Sequence, residues 1–121
     1  AEVVSMSVEH HDAVLAATSH LPHLLAYALV DMLARLDDSR EIFAYAAGGF
    51  RDFTRIASSD PVMWRDISLA NREAIVNMLK MYRAEVDGLI AAVAAGDGAK
   101  LETLFARSKA ARDALVSNDQ K

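Results

Sequence analysis

From Pro61 to Gly96 the chain meets no second proline and only one glycine, Gly88. Asp60 followed by Pro61 is a strong helix start: an N-cap side chain, then a residue whose missing N–H costs nothing in the first turn. An unbroken helix over this stretch would be roughly 50 Å long at 1.5 Å per residue. A compact domain of this chain's length is only about 35 Å across. Such a helix outgrows its own globule, and its apolar pattern shows what it needs. Trp64, Ile67, Ala70, Ala74, Met78, Met81, Val86, Leu89 and Val93 recur at three- and four-residue steps. Ile75, Leu79, Tyr82 and Ile90 widen that stripe beyond a single coiled-coil seam. A stripe this wide calls for neighbours on more than one side. The helix is therefore expected to pack across a homodimer interface, with Trp64, Ile67, Met78 and Tyr82 among the contact residues.

The remaining segments are helical too. The chain holds 23 alanines, and its β-branched residues never gather into alternating runs. A first segment spans about Ser7 to Leu36, with Ser7 as N-cap, Glu9 in the first turn, and a kink or break expected around Ser19 to Pro22. A short helix from about Arg40 to Ala47 is expected to stop at Gly48-Gly49 in left-handed geometry, and Phe50 to Ala57 adds two turns. A last helix from about Gly98 to Val116, capped by Asp97, would bury Leu101, Leu104, Phe105, Ala111 and Leu115. The fold class is all-α, a bundle of long helices, and the length fits one domain, residues 1–121.

Composition excludes several functions. The charge balance is 13 Lys and Arg against 17 Asp and Glu, a net −4. An acidic domain without a basic block is a poor match for nucleic acid. With no cysteine there is no disulfide framework, thiolate metal site or thiol nucleophile. No uninterrupted apolar run approaches the 18 or so residues of a membrane span, and no signal-peptide pattern opens the chain. A soluble, cytoplasmic domain without membrane partners is expected. Five glycines, as Gly48-Gly49, Gly88, Gly96 and Gly98, leave no room for a nucleotide-binding loop.

Two clusters could carry chemistry. In the first, His10-His11-Asp12 is followed by Ser19-His20-Leu21-Pro22-His23. Pro22 has no N–H for the Thr18 carbonyl, and a break there can aim His20 and His23 into one space, to hydrogen-bond a polar ligand or titrate near neutral pH. The plainer alternative makes one histidine a helix cap and the other a satisfied interface residue. A His-Asp pair with further histidines also resembles HD-type metal phosphohydrolases, but their upstream histidine has no counterpart in the nine residues before His10, so no metal ligand is assigned. The second cluster is Gly48 to Ala57, in which Phe50, Phe53 and Ile56 face inward and Arg51 and Arg55 lie one helical turn apart. A guanidinium fork beside aromatic side chains suits a small carboxylate; the alternative is surface pairing with Asp52 or a neighbouring acid, worth little.

Taken in order, His11-Asp12, Ala17-Thr18-Ser19-His20-Leu21-Pro22-His23, Ala46 to Ala57, Ser59-Asp60-Pro61-Val62-Met63-Trp64 and Asn71 resemble the C-terminal domain of prephenate dehydrogenases, also called cyclohexadienyl or arogenate dehydrogenases. The likeness is close over about the first 75 residues. It implies an all-helical domain that forms an intertwined homodimer and walls the substrate site, beside an N-terminal Rossmann domain that binds NAD or NADP. It implies oxidative decarboxylation of prephenate to 4-hydroxyphenylpyruvate, or of arogenate to tyrosine. By the same resemblance His20 and His23 match paired histidines at the substrate cleft, and Arg55 matches an arginine that binds a substrate carboxylate. Arg51 and Asp52 fall among charged residues near that arginine and the subunit interface. The family's general-base histidine and dinucleotide fingerprint belong to the N-terminal domain and are not in this chain. No catalytic residue is therefore expected here, and the domain alone is expected to bind no cofactor and transfer no hydride.

Overall fold

The computed structural model describes residues 7–119. Every regular element among them is helical, in agreement with the all-α reading. The chain gathers into two compact units, Ala1–Lys80 and Met81–Lys121.

In the first unit, α1 (Val8–Leu15) starts at Ser7, whose side chain accepts a hydrogen bond from the His10 N–H at 3.1 Å. A π-turn, Ala16–His20, joins α1 to α2 (Leu21–Ala34) without breaking the helix. The expected kink is thus realised as a wider turn upstream of the proline. Pro22 cannot donate at the second position of α2, and the Leu21 N–H reaches back five residues to the Ala16 carbonyl. By length and composition the continuous helix Val8–Ala34 could cross a membrane, which uninterrupted apolar runs do not reveal. Its C-terminal part instead packs on α3 (Ser39–Ala44), α4 (Gly48–Thr54) and a 3₁₀ turn, Arg55–Ser58.

Gly48-Gly49 does not stop a helix. The short helix ends earlier, at Tyr45, and the two glycines open α4 after an extended Ala47; neither adopts a positive φ. Asp60 caps α5 (Pro61–Ala70) as the sequence suggests, its carboxylate accepting from the Val62 N–H at 3.1 Å. The Tyr27 hydroxyl, on α2, donates to the Ser59 carbonyl at 2.6 Å and ties the segment before α5 to α2.

The expected single helix from Pro61 is two helices. Asn71 leaves helical geometry (φ −113°, ψ 40°), and α6 (Arg72–Ala94) starts beyond it. No glycine or proline marks the break. The physical reason is an outside partner for the Asn71 side chain, described below. The core of this unit is small: Ala16, Ala26, Trp64 and Ile75 are its buried apolar residues among those described.

In the second unit, α6 closes at Gly96, the one described residue with a positive φ, +66°. The Asp97 N–H donates to the Ala92 carbonyl and the Gly96 N–H to that of Val93, a pairing that satisfies two terminal carbonyls at once. Asp97 then caps α7 (Gly98–Asp119) by accepting from the Lys100 N–H at 3.0 Å. The expected buried side of this last helix is not buried in the chain. Leu101 and Leu104 are half-buried, whereas Phe105 and Leu115 keep 59% and 55% of their surface exposed.

Candidate functional site

The π-turn determines which side chains meet. It delivers His20 at its end and His23 in the first turn of α2, and both rings close on Trp64 of α5. The His23 ring stacks on the indole with centroids 3.9 Å apart and planes at 17°; His20 meets its edge at 5.9 Å and 81°. Trp64 is 7% exposed. It was expected at an interface, and within this chain the histidines cover it. Its indole N–H is buried without an acceptor among the described residues.

Asn71 closes the cluster. Its side-chain nitrogen lies 2.9 Å from the Asp12 carbonyl oxygen and 3.2 Å from His20 Nδ1. A carbonyl only accepts, so the group facing Asp12 is the amide NH₂, and the same NH₂ faces His20. His20 Nδ1 is therefore the bare, accepting nitrogen, and the neutral ring carries its proton on Nε2. At His23 the logic inverts. Nδ1 lies 2.9 Å from the Ser19 carbonyl, so Nδ1–H donates, and in the neutral ring Nε2 is the bare nitrogen. The carbonyl engaged is that of Ser19; the Thr18 carbonyl, which Pro22 was expected to free, has no part in the contact.

Electrostatics agree with a neutral His20. Burial holds its pKa below the ordinary value near 6.5, the neighbouring His23 pushes the same way, and the Asp12 carboxylate pulls against them. Two grooves border the cluster. One of 240 Å³ runs along Trp64 with Leu24, Tyr27 and Pro61, and one of 360 Å³ runs past Asp12, Asn71, Asn77 and Met78.

The charged candidates stand apart from the histidines. Arg51, Asp52 and Arg55 are exposed on α4 and the 3₁₀ turn. Among the described residues no ion pair joins the two arginines to Asp52, the surface pairing left open by the sequence. Arg51 Nε–H donates to the Ala46 carbonyl at 3.3 Å. No hydrogen bond links Arg55 to His20 or His23, although its 3₁₀ turn packs on the helix that bears His23. Of the remaining interface candidates, Ile67 and Met78 are half-buried and Tyr82 is exposed. Sequence reasoning gave Asn71 no role, since a polar residue within a helical pattern carries no local sign of a distant partner. Trp64 as the wall behind both histidines was likewise missed.

Two cofactor chemistries can be set against these residues. No three metal-ligating side chains gather among the described residues; His11 and Asp12 sit 3.6 Å apart, both well exposed. A dinucleotide needs a strand-to-helix turn whose backbone meets the pyrophosphate. The described residues contain no strand, and Gly48-Gly49 leads into a seven-residue helix, so they do not fit such a cofactor.

The chain resembles known proteins along nearly its whole length. Cyclohexadienyl dehydrogenase from Zymomonas mobilis is 46% identical over 93% of the chain, which spans 39% of that protein. Prephenate dehydrogenase from Bacillus subtilis is 40% identical over 95% of the chain, which spans 31% of it. Among solved structures, prephenate dehydrogenase from Aquifex aeolicus in complex with hydroxyphenyl propionate and NAD+ superposes with a TM-score of 0.87 at 38% identity, over 94% of this chain and 40% of that one. Synechocystis arogenate dehydrogenase gives 0.88 at 26% identity, over 94% and 42%. The chain thus spans well under half of the relatives it matches. Residues 7–107 match the family model described as prephenate dehydrogenase, dimerization domain, and the chain belongs to that family.

Proposed function

We propose that this chain is the dimerisation and substrate-site domain of a prephenate or arogenate dehydrogenase. Its partners are a second copy of itself and an N-terminal Rossmann domain carrying NAD or NADP and the general base. The observation that carries this reading is the convergence of His20, His23 and Trp64 on one point of a chain from this family. His20 and His23 wall the substrate cleft. Arg55 binds a substrate carboxylate through its guanidinium fork, and Arg51 and Asp52 lie beside it near the subunit contact. Prephenate is a dianion, so an exposed Arg55 with no ion-pair partner among the described residues supports affinity and orientation. The reaction is oxidative decarboxylation, whose hydride goes to the cofactor in the neighbouring domain; the setting is the cytoplasm.

In the complete dehydrogenase, Arg55→Ala is expected to raise the prephenate KM by roughly 10- to 100-fold, the worth of a hydrogen-bonded charge pair, with the NAD(P)+ KM little changed. An unchanged prephenate KM would remove Arg55 from the site. A second reading, a helical interaction module without a substrate role, is favoured by the exposed apolar face of the second unit. It predicts altered stability or dimerisation in variants of His20, His23 and Arg55, with unchanged kinetics.

A further inference from the structure

We propose that Asn71 is a positioning residue for the histidine pair: by giving both amide hydrogens away, to the Asp12 carbonyl and to His20 Nδ1, it holds His20 as the Nε2–H tautomer. The pair then meets a ligand as one donor, His20 Nε2–H, and one acceptor, His23 Nε2.

Asn71 sits where α5 ends and α6 begins, in a conformation no helix requires, and its side chain spans to α1 and to the π-turn. Both contacts use the same nitrogen, and each fits one of its two hydrogens. A doubly protonated His20 would turn a second N–H against that NH₂. The amide therefore opposes both the other tautomer and the imidazolium. At His23 the Ser19 carbonyl imposes the opposite tautomer. Neither Nε2 atom has a hydrogen-bond partner among the described residues, and neither ring is fully buried. The ionisable groups that bear on His20 are His23 from α2 and the Asp12 carboxylate from α1; α5 brings only the indole. The break at Asn71 thus has a purpose beyond shortening a helix. Without it, the side chain would continue a helical face and could not serve both partners.

This inference rests on the proposal that the two histidines face substrate, but its test does not. Long-range ¹H–¹⁵N spectra of the 121-residue chain report the protonated nitrogen of each imidazole. In the unaltered chain above pH 7, His20 is expected as Nε2–H and His23 as Nδ1–H. A His20 protonated on Nδ1 overturns the proposal, whether or not any variant folds. In Asn71→Ala, His20 should lose its tautomer bias and titrate roughly half to one pH unit higher, while the His23 tautomer stays Nδ1–H. In Asn71→Asp, whose carboxylate accepts where the amide donated, His20 should move to the Nδ1–H form. If both variants fold and the His20 tautomer and titration stay as before, Asn71 is only a helix break and the proposal fails. In the complete dehydrogenase, the pH at which prephenate KM changes should follow the His20 titration across these variants. If the spectra move and that profile does not, the positioning role stands and the substrate-facing reading fails instead.

Discussion

At the scale of single residues the molecule depends on where protons sit. His20 is kept neutral by burial first and by His23 second, and the sign of the consequence is fixed by linkage. Above about pH 6.5 the ring is neutral in both folded and unfolded chains and contributes no slope. Below it the unfolded ring takes up a proton that the folded ring resists, so stability falls until the folded ring is protonated as well. Thermal melts between pH 7 and 5 should therefore show a decline that His20→Gln partly flattens; an equal slope in that variant would contradict the assignment. The histidines themselves were legible because a proline between two of them is a rare arrangement with a geometric consequence. Their protonation states were not legible. That of His20 depends on the Asn71 amide, which the Asp12 carbonyl orients from 59 residues away in the chain, and no local pattern encodes that meeting.

At the scale of elements, caps read from the sequence hold where side chain and backbone agree locally. Ser7, Asp60 and Asp97 each accept a backbone N–H in the first turn of the helix they open. Breaks without a local capping side chain do not read out. Gly48-Gly49 looks like a stop and opens a helix; Asn71 looks like helix and ends one. The proline signal was half informative: it placed the disturbance, while the π-turn that results depends on backbone pairing upstream. Gly96 is the case where local chemistry decides fully. Its φ of +66° leaves open space for an added Cβ, so Gly96→Ala suffers only from backbone strain. That strain should cost about 1–2 kcal/mol, seen as a Tm lower by several degrees. An unchanged Tm would mean that the turn has another route.

At the scale of the whole molecule, the second unit lacks a core of its own. Ala92 is the one buried residue among those described in it, while Ile90, Val93 and Phe105 keep 60%, 64% and 59% of their surface exposed. An exposed apolar face of this kind marks an interaction site, and the proposed dimer would cover it. Full burial of each side chain is worth about 1.5–3 kcal/mol, enough for a handful to hold two copies together. The over-long apolar stripe read from the sequence pointed to this face. Its error was to draw the stripe as one helix, since α5 places Trp64 inside the first unit, and the exposed apolar residues of the stripe from Met81 onward belong to α6. Membership in a dimerization-domain family fits the same conclusion. The most direct measurement is sedimentation equilibrium of the chain at micromolar concentration, alone and with Ile90→Asp and Val93→Asp combined. The unaltered protein is expected at twice the 13.1 kDa chain mass and the variant as a monomer; a stable, soluble, unaltered monomer at that concentration would overturn the proposed dimer.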